Sequence, residues 1–249
     1  MDFSLFLETA TWVSIFTLTF MEIVLGVDNI IFISITAGKL PKEQQRKARN
    51  LGLFFALGFR ILLLLSIKWI IGLTEPLFHV AGYGISGRNL ILLAGGLFLL
   101  AKSTTEIHHK VENPGGEAAA IKSAASTSFN MVVGQIILLD IIFSFDSILT
   151  AVGLTPHVII MIIAVVLSMI IMMIFAGPIS HFINKHPSLQ ILALSFLILI
   201  GVTLILEGMP EELGIHVSKG YIYFAIFFSL GIELLNMRFR KKATVHNKE

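Results

Sequence analysis

The chain has 249 residues, of which 55% are hydrophobic and 14% charged; its formal net charge is +2 and it contains no cysteine. That apolar excess is more than one soluble core of this size needs, so much of the surface must face lipid. Without cysteine there is no disulfide framework and no thiolate site, which leaves oxygen and imidazole as the expected ligands. The basic residues sit in short loops between apolar segments, a pattern of membrane topology, and no nucleic-acid partner is expected. The N-terminus opens with Asp2 and Glu8 rather than a basic region, so no cleaved signal peptide is expected.

A spanning helix needs roughly 20 mainly apolar residues. Seven segments qualify, covering approximately 12–37, 50–73, 89–105, 129–152, 158–180, 189–206 and 220–236. The fold class expected is therefore all-α, a polytopic membrane protein of seven transmembrane helices embedded in the bilayer. Lys39, Lys42, Arg46, Lys47 and Arg49 follow the first span, Lys102, Lys110 and Lys122 the third, Lys185 the fifth, and Arg238, Arg240, Lys241, Lys242 and Lys248 the seventh. Only Arg88 and Lys219 fall on the opposite side. By the positive-inside rule the N-terminus is outside and the C-terminus cytoplasmic. Trp12, Trp69, Tyr83, Tyr221 and Tyr223 then lie near the outer interface, where aromatic anchors belong.

The first span reads Glu22-Ile-Val-Leu-Gly-Val-Asp28-Asn29, and the fourth reads Asp140-Ile-Ile-Phe-Ser-Phe-Asp146-Ser147. Acid, small residue, Asp and amide or hydroxyl recur in register, which points to duplication. Spans three and six support it more weakly through Leu92-Leu93-Ala94-Gly95-Gly96 and Ile191-Leu192-Ala193-Leu194-Ser195. The expected organisation is one membrane domain: repeat one over about 10–107, repeat two over about 128–207, an additional helix over about 220–237 and a basic tail over 238–249. Three helices per unit would insert the second unit upside down, the inverted plan of many secondary transporters.

An Asp or Glu at mid-helix costs about 2.5–3.5 kcal/mol to insert, so four of them need compensation by a cation, a proton or an ion pair. Residues six apart on a regular helix rise about 9 Å and turn roughly 120° apart. Glu22 and Asp28 therefore share a face only if the helix is broken, and Gly26, Ser144, Asp28-Asn29 and Asp146-Ser147 suggest local unwinding in both spans. The expected site is one cage of oxygens from Glu22, Asp28, Asn29, Asp140, Asp146 and Ser147, suited to Mg²⁺, Ca²⁺ or Mn²⁺. Arg60 in the second span is either a structural counter-ion or a cation that occupies the site when no metal is bound. Lys68 reads as a snorkelling residue. Glu207 and Glu233 read as interfacial, and His108 and His109 beside Glu106 and Glu112 as a solvated loop. Met161, Met169, Met172 and Met173 read as lipid-facing or packing residues, and Gly58 and Gly95-Gly96 as points of close helix approach. No nucleophile elbow, zincin motif or phosphate-binding loop occurs, so no enzyme activity, prosthetic group or ATP coupling is expected.

The two acidic motifs, together with Gly95-Gly96-Leu-Phe-Leu, Glu106-Ile-His108, Leu194-Ser-Phe-Leu-Ile-Leu and Lys219-Gly-Tyr-Ile-Tyr-Phe-Ala, resemble the TerC family of bacterial integral membrane proteins. The resemblance covers almost the whole chain and is greatest to the compact subgroup without appended cytoplasmic domains. It implies a multi-pass protein of the bacterial inner membrane that exports a divalent metal ion, chiefly manganese, with the acidic motifs in the ion path. It also implies delivery of manganese to proteins being exported, and hence secretion machinery as a partner. The family takes its name from tellurium resistance, a phenotype that defines no transported substrate. The alternative function is an accessory membrane protein that supplies metal to exported proteins without net transport of its own.

Overall fold

A computed structural model of the protein describes residues 7–80, 82–112, 128–210, 213 and 218–246, and the backbone alone for Asp28, Lys219 and residues 240–246. The loop carrying Lys122 and the end of the basic tail lie outside the described residues. The elements are α1 Thr9–Leu25, α2 Val27–Gly38, α3 Lys42–Leu65, α4 Ile67–Gly72, β1 Pro76–Val80, β2 Tyr83–Ser86, α5 Gly87–Glu112, α6 Phe129–Leu154, α7 Val158–Lys185, α8 Pro187–Glu207 and α9 Lys219–His246. Six helices are long and apolar enough to cross a membrane, or seven when the bent pair α1–α2 is counted as one span.

Two of the expected spans are interrupted. The first breaks at Gly26 and turns by 42° between α1 and α2. The second breaks at Ser66, where the backbone leaves the helical region and α4 follows. The segment after the first span is not all loop, because α3 already begins at Lys42. Pro41 precedes it, Glu43 lies in its first turn, where a carboxylate favours the helix dipole, and the run Gln44-Gln45-Arg46-Lys47-Ala48 consists of good helix formers.

Between α4 and α5 the chain forms a short antiparallel hairpin that an all-helical reading does not contain. Phe78 pairs with Ile85 and Val80 with Tyr83. Gly82 takes a φ of +88° in its turn, a conformation that costs glycine least.

The larger core cluster, including Ile33, Leu53, Leu64, Ile136, Ile160 and Met169, joins α1, α2, α3, α6 and α7. A second cluster, with Leu92, Leu99, Leu139, Leu194 and Leu197, lies between α5, α6 and α8. Helices α5 and α8 approach so closely that a Cβ on Gly96 would sit 2.6 Å from the Gly201 carbonyl oxygen. Gly95 is equally tight, against Ile142, whereas Gly58 has nothing within 4 Å and permits no close approach. Met161, Met169 and Met172 are fully buried, which removes the lipid-facing reading for those three. Phe16, Phe54, Ile174, Phe224 and Phe227 are exposed at full hydrophobic size, as lipid-facing side chains are.

Candidate cation site

Glu22 on α1, Arg60 on α3 and Asp140 on α6 meet in the core, each no more than 4% exposed. Arg60 grips Asp140 with two parallel bonds, Nε to Oδ2 and Nη2 to Oδ1, both 2.9 Å long. Its Nη1 donates to Glu22 Oε2 at 2.5 Å. The planar fork of arginine matches a carboxylate in this bidentate way, and a lysine could not reproduce it. Two carboxylates thus face one guanidinium, and one negative charge is left over when both are ionised.

Asn29 completes this cluster from α2. Its Nδ2 lies 3.3 Å from Asp140 Oδ1 and donates to it, while its Oδ1, also buried, has no partner among the described residues. Reversing the amide would set its oxygen against the carboxylate, so the acceptor remains the free end. A buried acceptor without a donor loses its hydration with nothing in exchange, and a cation would supply what is missing.

Helix α6 is continuous through Ser144, contrary to the expected unwinding. The Ser144 hydroxyl donates back to the Asp140 carbonyl oxygen at 2.5 Å and lies 3.2 Å from Asp140 Oδ2, so it serves the helix rather than interrupting it. The first span does break, but Gly26 still donates to the Glu22 carbonyl oxygen at 2.8 Å, so the break is a bend with few freed carbonyls.

An unbroken α6 separates its two acids. Asp140 faces Arg60, while Asp146, roughly 9 Å further along and 120° around the helix, faces elsewhere. The single cage of Glu22, Asp28, Asn29, Asp140, Asp146 and Ser147 is therefore corrected to two locations. Glu22, Asn29 and Asp140 share the buried cluster; Asp146 and Ser147 line a separate cavity of about 70 Å³; the Asp28 side chain lies outside the described residues. Among the described residues, no group of three His, Asp or Glu side chains is arranged to hold a metal ion.

The cavity is bounded by Leu25 and Phe143, by Ile200, Thr203, Leu204 and Glu207 of α8, and by Ile222 and Tyr223 of α9. Arg88, at the start of α5, pairs with the Asp146 that lines it. Its Nη2 lies 3.2 Å from Asp146 Oδ1, its Nη1 donates to the Glu207 carbonyl oxygen at 3.2 Å, and its backbone N–H donates to Leu73 O at 2.9 Å. At the far end of α5, roughly 27 Å away at 1.5 Å per residue, Glu106 pairs with Lys39 just beyond α2. One helix thus carries an ion pair to its neighbours near each end. His108 bridges to Glu112 one turn away at 3.0 Å on an exposed face, as a solvated helix end does.

Arg88 and Glu207 are the residues that sequence reasoning left in ordinary roles. Arg88 carried a signal, since it is one of only two cations assigned to the sparsely charged side.

These features define a polytopic helical membrane protein with a buried acidic cluster held by an arginine. The chain belongs to the Integral membrane protein TerC family, whose sequence profile matches residues 7–248. It is 50% identical over 242 residues to the UPF0053 inner membrane protein YgdQ of Escherichia coli K12, covering 97% of this chain and 99% of YgdQ. A UPF0053 protein of Haemophilus influenzae is 48% identical over 94% of this chain and 96% of its own length. The UPF0053 inner membrane protein YoaE of E. coli K12 is 45% identical over 96% of this chain, but the match covers only 45% of YoaE. No solved structure matches the chain.

Proposed function

We propose that this protein is a secondary transporter that exports a divalent metal cation, with manganese the preferred substrate, and that Arg60 holds the acidic site closed when no metal is bound. The observation that carries the reading is the charge excess of the buried cluster. Glu22 and Asp140 share one guanidinium beside an Asn29 oxygen that has no partner among the described residues, in a region where each carboxylate is costly. A purely structural pair would need one acid. A divalent ion entering between Glu22, Asp140 and Asn29 exchanges one fixed positive charge for two mobile ones and gives the Asn29 oxygen its partner. Arg60 then swings aside, and its return, or protonation of the acids, expels the ion.

Helix packing supports the duplicated plan. The first span packs on the fifth as the fourth packs on the second, and the third and sixth pack on each other. Exchange of the two three-helix units preserves those pairings, as inverted repeats around a midplane site require. Arg88–Asp146 and Lys39–Glu106, at opposite ends of α5, are suited to alternate as the outer and inner closures. The basic loops support an N-terminus outside and a C-terminus in the cytoplasm. The names of YgdQ and YoaE support the inner membrane. The direction of transport rests on the family resemblance.

The test is manganese flux in proteoliposomes containing the full chain. Asp140→Asn and Glu22→Gln variants that insert normally should lose flux. Flux at the parental rate in both would end the reading, and metal binding without flux in the parent would favour the accessory, metal-supplying protein instead.

A further inference from the structure

The absence of cysteine directs attention to oxygen ligands, but a thioether sulfur lies beside Gly26, between Glu22 and Asn29 in the chain. Glu22, Gly26 and Asn29 stand at i, i+4 and i+7, one stripe along the first span, and the backbone at Gly26 remains in the right-handed helical region, so the stripe continues across the bend. Among the described side chains of that span, Glu22 and Asn29 reach the acidic cluster. The position between them has no side chain of its own.

Met172 of α7 fills it. A Cβ built on Gly26 would lie 2.4 Å from the Met172 sulfur, 3.3 Å from its methyl carbon and 2.9 Å from the Glu22 carbonyl oxygen. The thioether and that carbonyl oxygen therefore crowd one point on the face that carries the acids. Met172 is 1% exposed and belongs to the larger core cluster, so neither lipid contact nor solvent accounts for its placement. Leucine or isoleucine, which dominate the rest of this core, would fill the same volume without a donor atom.

We propose that the Met172 thioether is a selectivity-determining ligand of the cation site, admitting divalent transition-metal ions in preference to Mg²⁺ and Ca²⁺. The inference rests on the transport reading above and assigns a specificity element to the same site. Carboxylate and amide oxygens alone suit Mg²⁺, Ca²⁺ and Mn²⁺ alike, and Mg²⁺ and Ca²⁺ are hard ions that gain little from sulfur. One polarizable thioether among oxygens shifts the balance toward d-block ions and, most of all, toward Cd²⁺. Met172 sits against the bend itself, on a helix that packs on both α1 and α2, so ligation by its sulfur would couple α7 to the movement of α1 against α2.

The experiment compares the parent, Met172→Leu and Met161→Leu in proteoliposomes, reading Mn²⁺ flux and its inhibition by Mg²⁺ and by Cd²⁺. Met161 is a fully buried methionine on the same helix, roughly 16 Å from Met172 by helical rise, and serves as the packing control. Met172→Leu should lower the preference for Mn²⁺ over Mg²⁺ about tenfold and weaken inhibition by Cd²⁺ by a similar factor, while Met161→Leu leaves both ratios unchanged. An unchanged ratio in Met172→Leu, with Mn²⁺ flux intact, overturns the inference and leaves the transport reading standing. A parent that moves and binds no Mn²⁺ overturns the transport reading itself and the inference with it. If Met172→Leu fails to fold, cadmium NMR of the unmutated protein decides: a deshielded resonance reports a sulfur ligand, and an oxygen-only shift overturns the proposal.

Discussion

Helix α6 carries two aspartates six residues apart, each held by an arginine, and the two pairs differ in almost every physical respect. Arg60 and Asp140 are both 3% exposed at the side chain and form a bidentate fork shared with Glu22. Arg88 and Asp146 are 19% and 16% exposed and meet at 3.2 Å, and the aspartate borders a cavity. The buried pair has given up its hydration completely and is held by geometry, so losing either partner strands a charge. The half-open pair keeps access to its own cavity and exchanges partners at little cost. The proposed transport needs both behaviours: a central site that never stands empty of positive charge, and a closure that opens on thermal energy.

The largest effect should come from stranding the buried acids. Arg60→Leu is expected to lower stability by about 3–5 kcal/mol, whereas Arg88→Leu should cost no more than about 1 kcal/mol. Thermal unfolding of the two purified variants in detergent checks the contrast, and equal losses would break it. Adding Asp140→Asn to Arg60→Leu should recover part of the loss, because it removes one stranded charge. Arg60→Lys should fall between parent and Arg60→Leu, since an ammonium keeps the charge and loses the fork.

Next in size is the functional split between the two aspartates. Asp140→Asn should abolish manganese flux, while Asp146→Asn should retain a reduced rate with altered dependence on which side of the membrane the metal is added. Sided flux measurements distinguish these outcomes. Identical loss in both variants would mean that the two regions act as one site after all.

That division was only half legible in the amino-acid sequence. Four acids in two apolar helices, in register, announce a site, and Arg60 within an otherwise apolar run announces a counter-ion. The spacing of six even states the condition for separation, namely an unbroken helix. What the sequence does not decide is which of two similar small residues breaks its helix. The first span bends at Gly26, where the place of a side chain is taken by Met172 from another helix, while Ser144 returns its hydroxyl to the Asp140 carbonyl and α6 runs on intact. Both outcomes depend on neighbours far away in the chain. Arg88 was legible as a cation and illegible as a partner of Asp146, because only the packing of α5 on α6 and α8 brings them together.

The smallest effects concern glycines, and they sharpen the same contrast between tight and open regions. Gly96→Ala places a methyl group 2.6 Å from the Gly201 carbonyl oxygen, so α5 and α8 must part; a loss of about 1–3 kcal/mol is expected. Gly58→Ala meets nothing within 4 Å on α3, about half a turn before the Arg60 fork. There the substitution removes only the flexibility that glycine brings to a helix interior, a gain of up to about 1 kcal/mol. The same chemical change should therefore lower the melting temperature at one position and raise it at the other. Because Gly58 precedes Arg60 by two residues, a stiffer α3 should also hold the guanidinium more firmly on Asp140. If Arg60 must swing aside for metal to enter, Gly58→Ala gains stability and loses flux together; a stabilised variant with faster flux would place the rate-limiting motion in another helix.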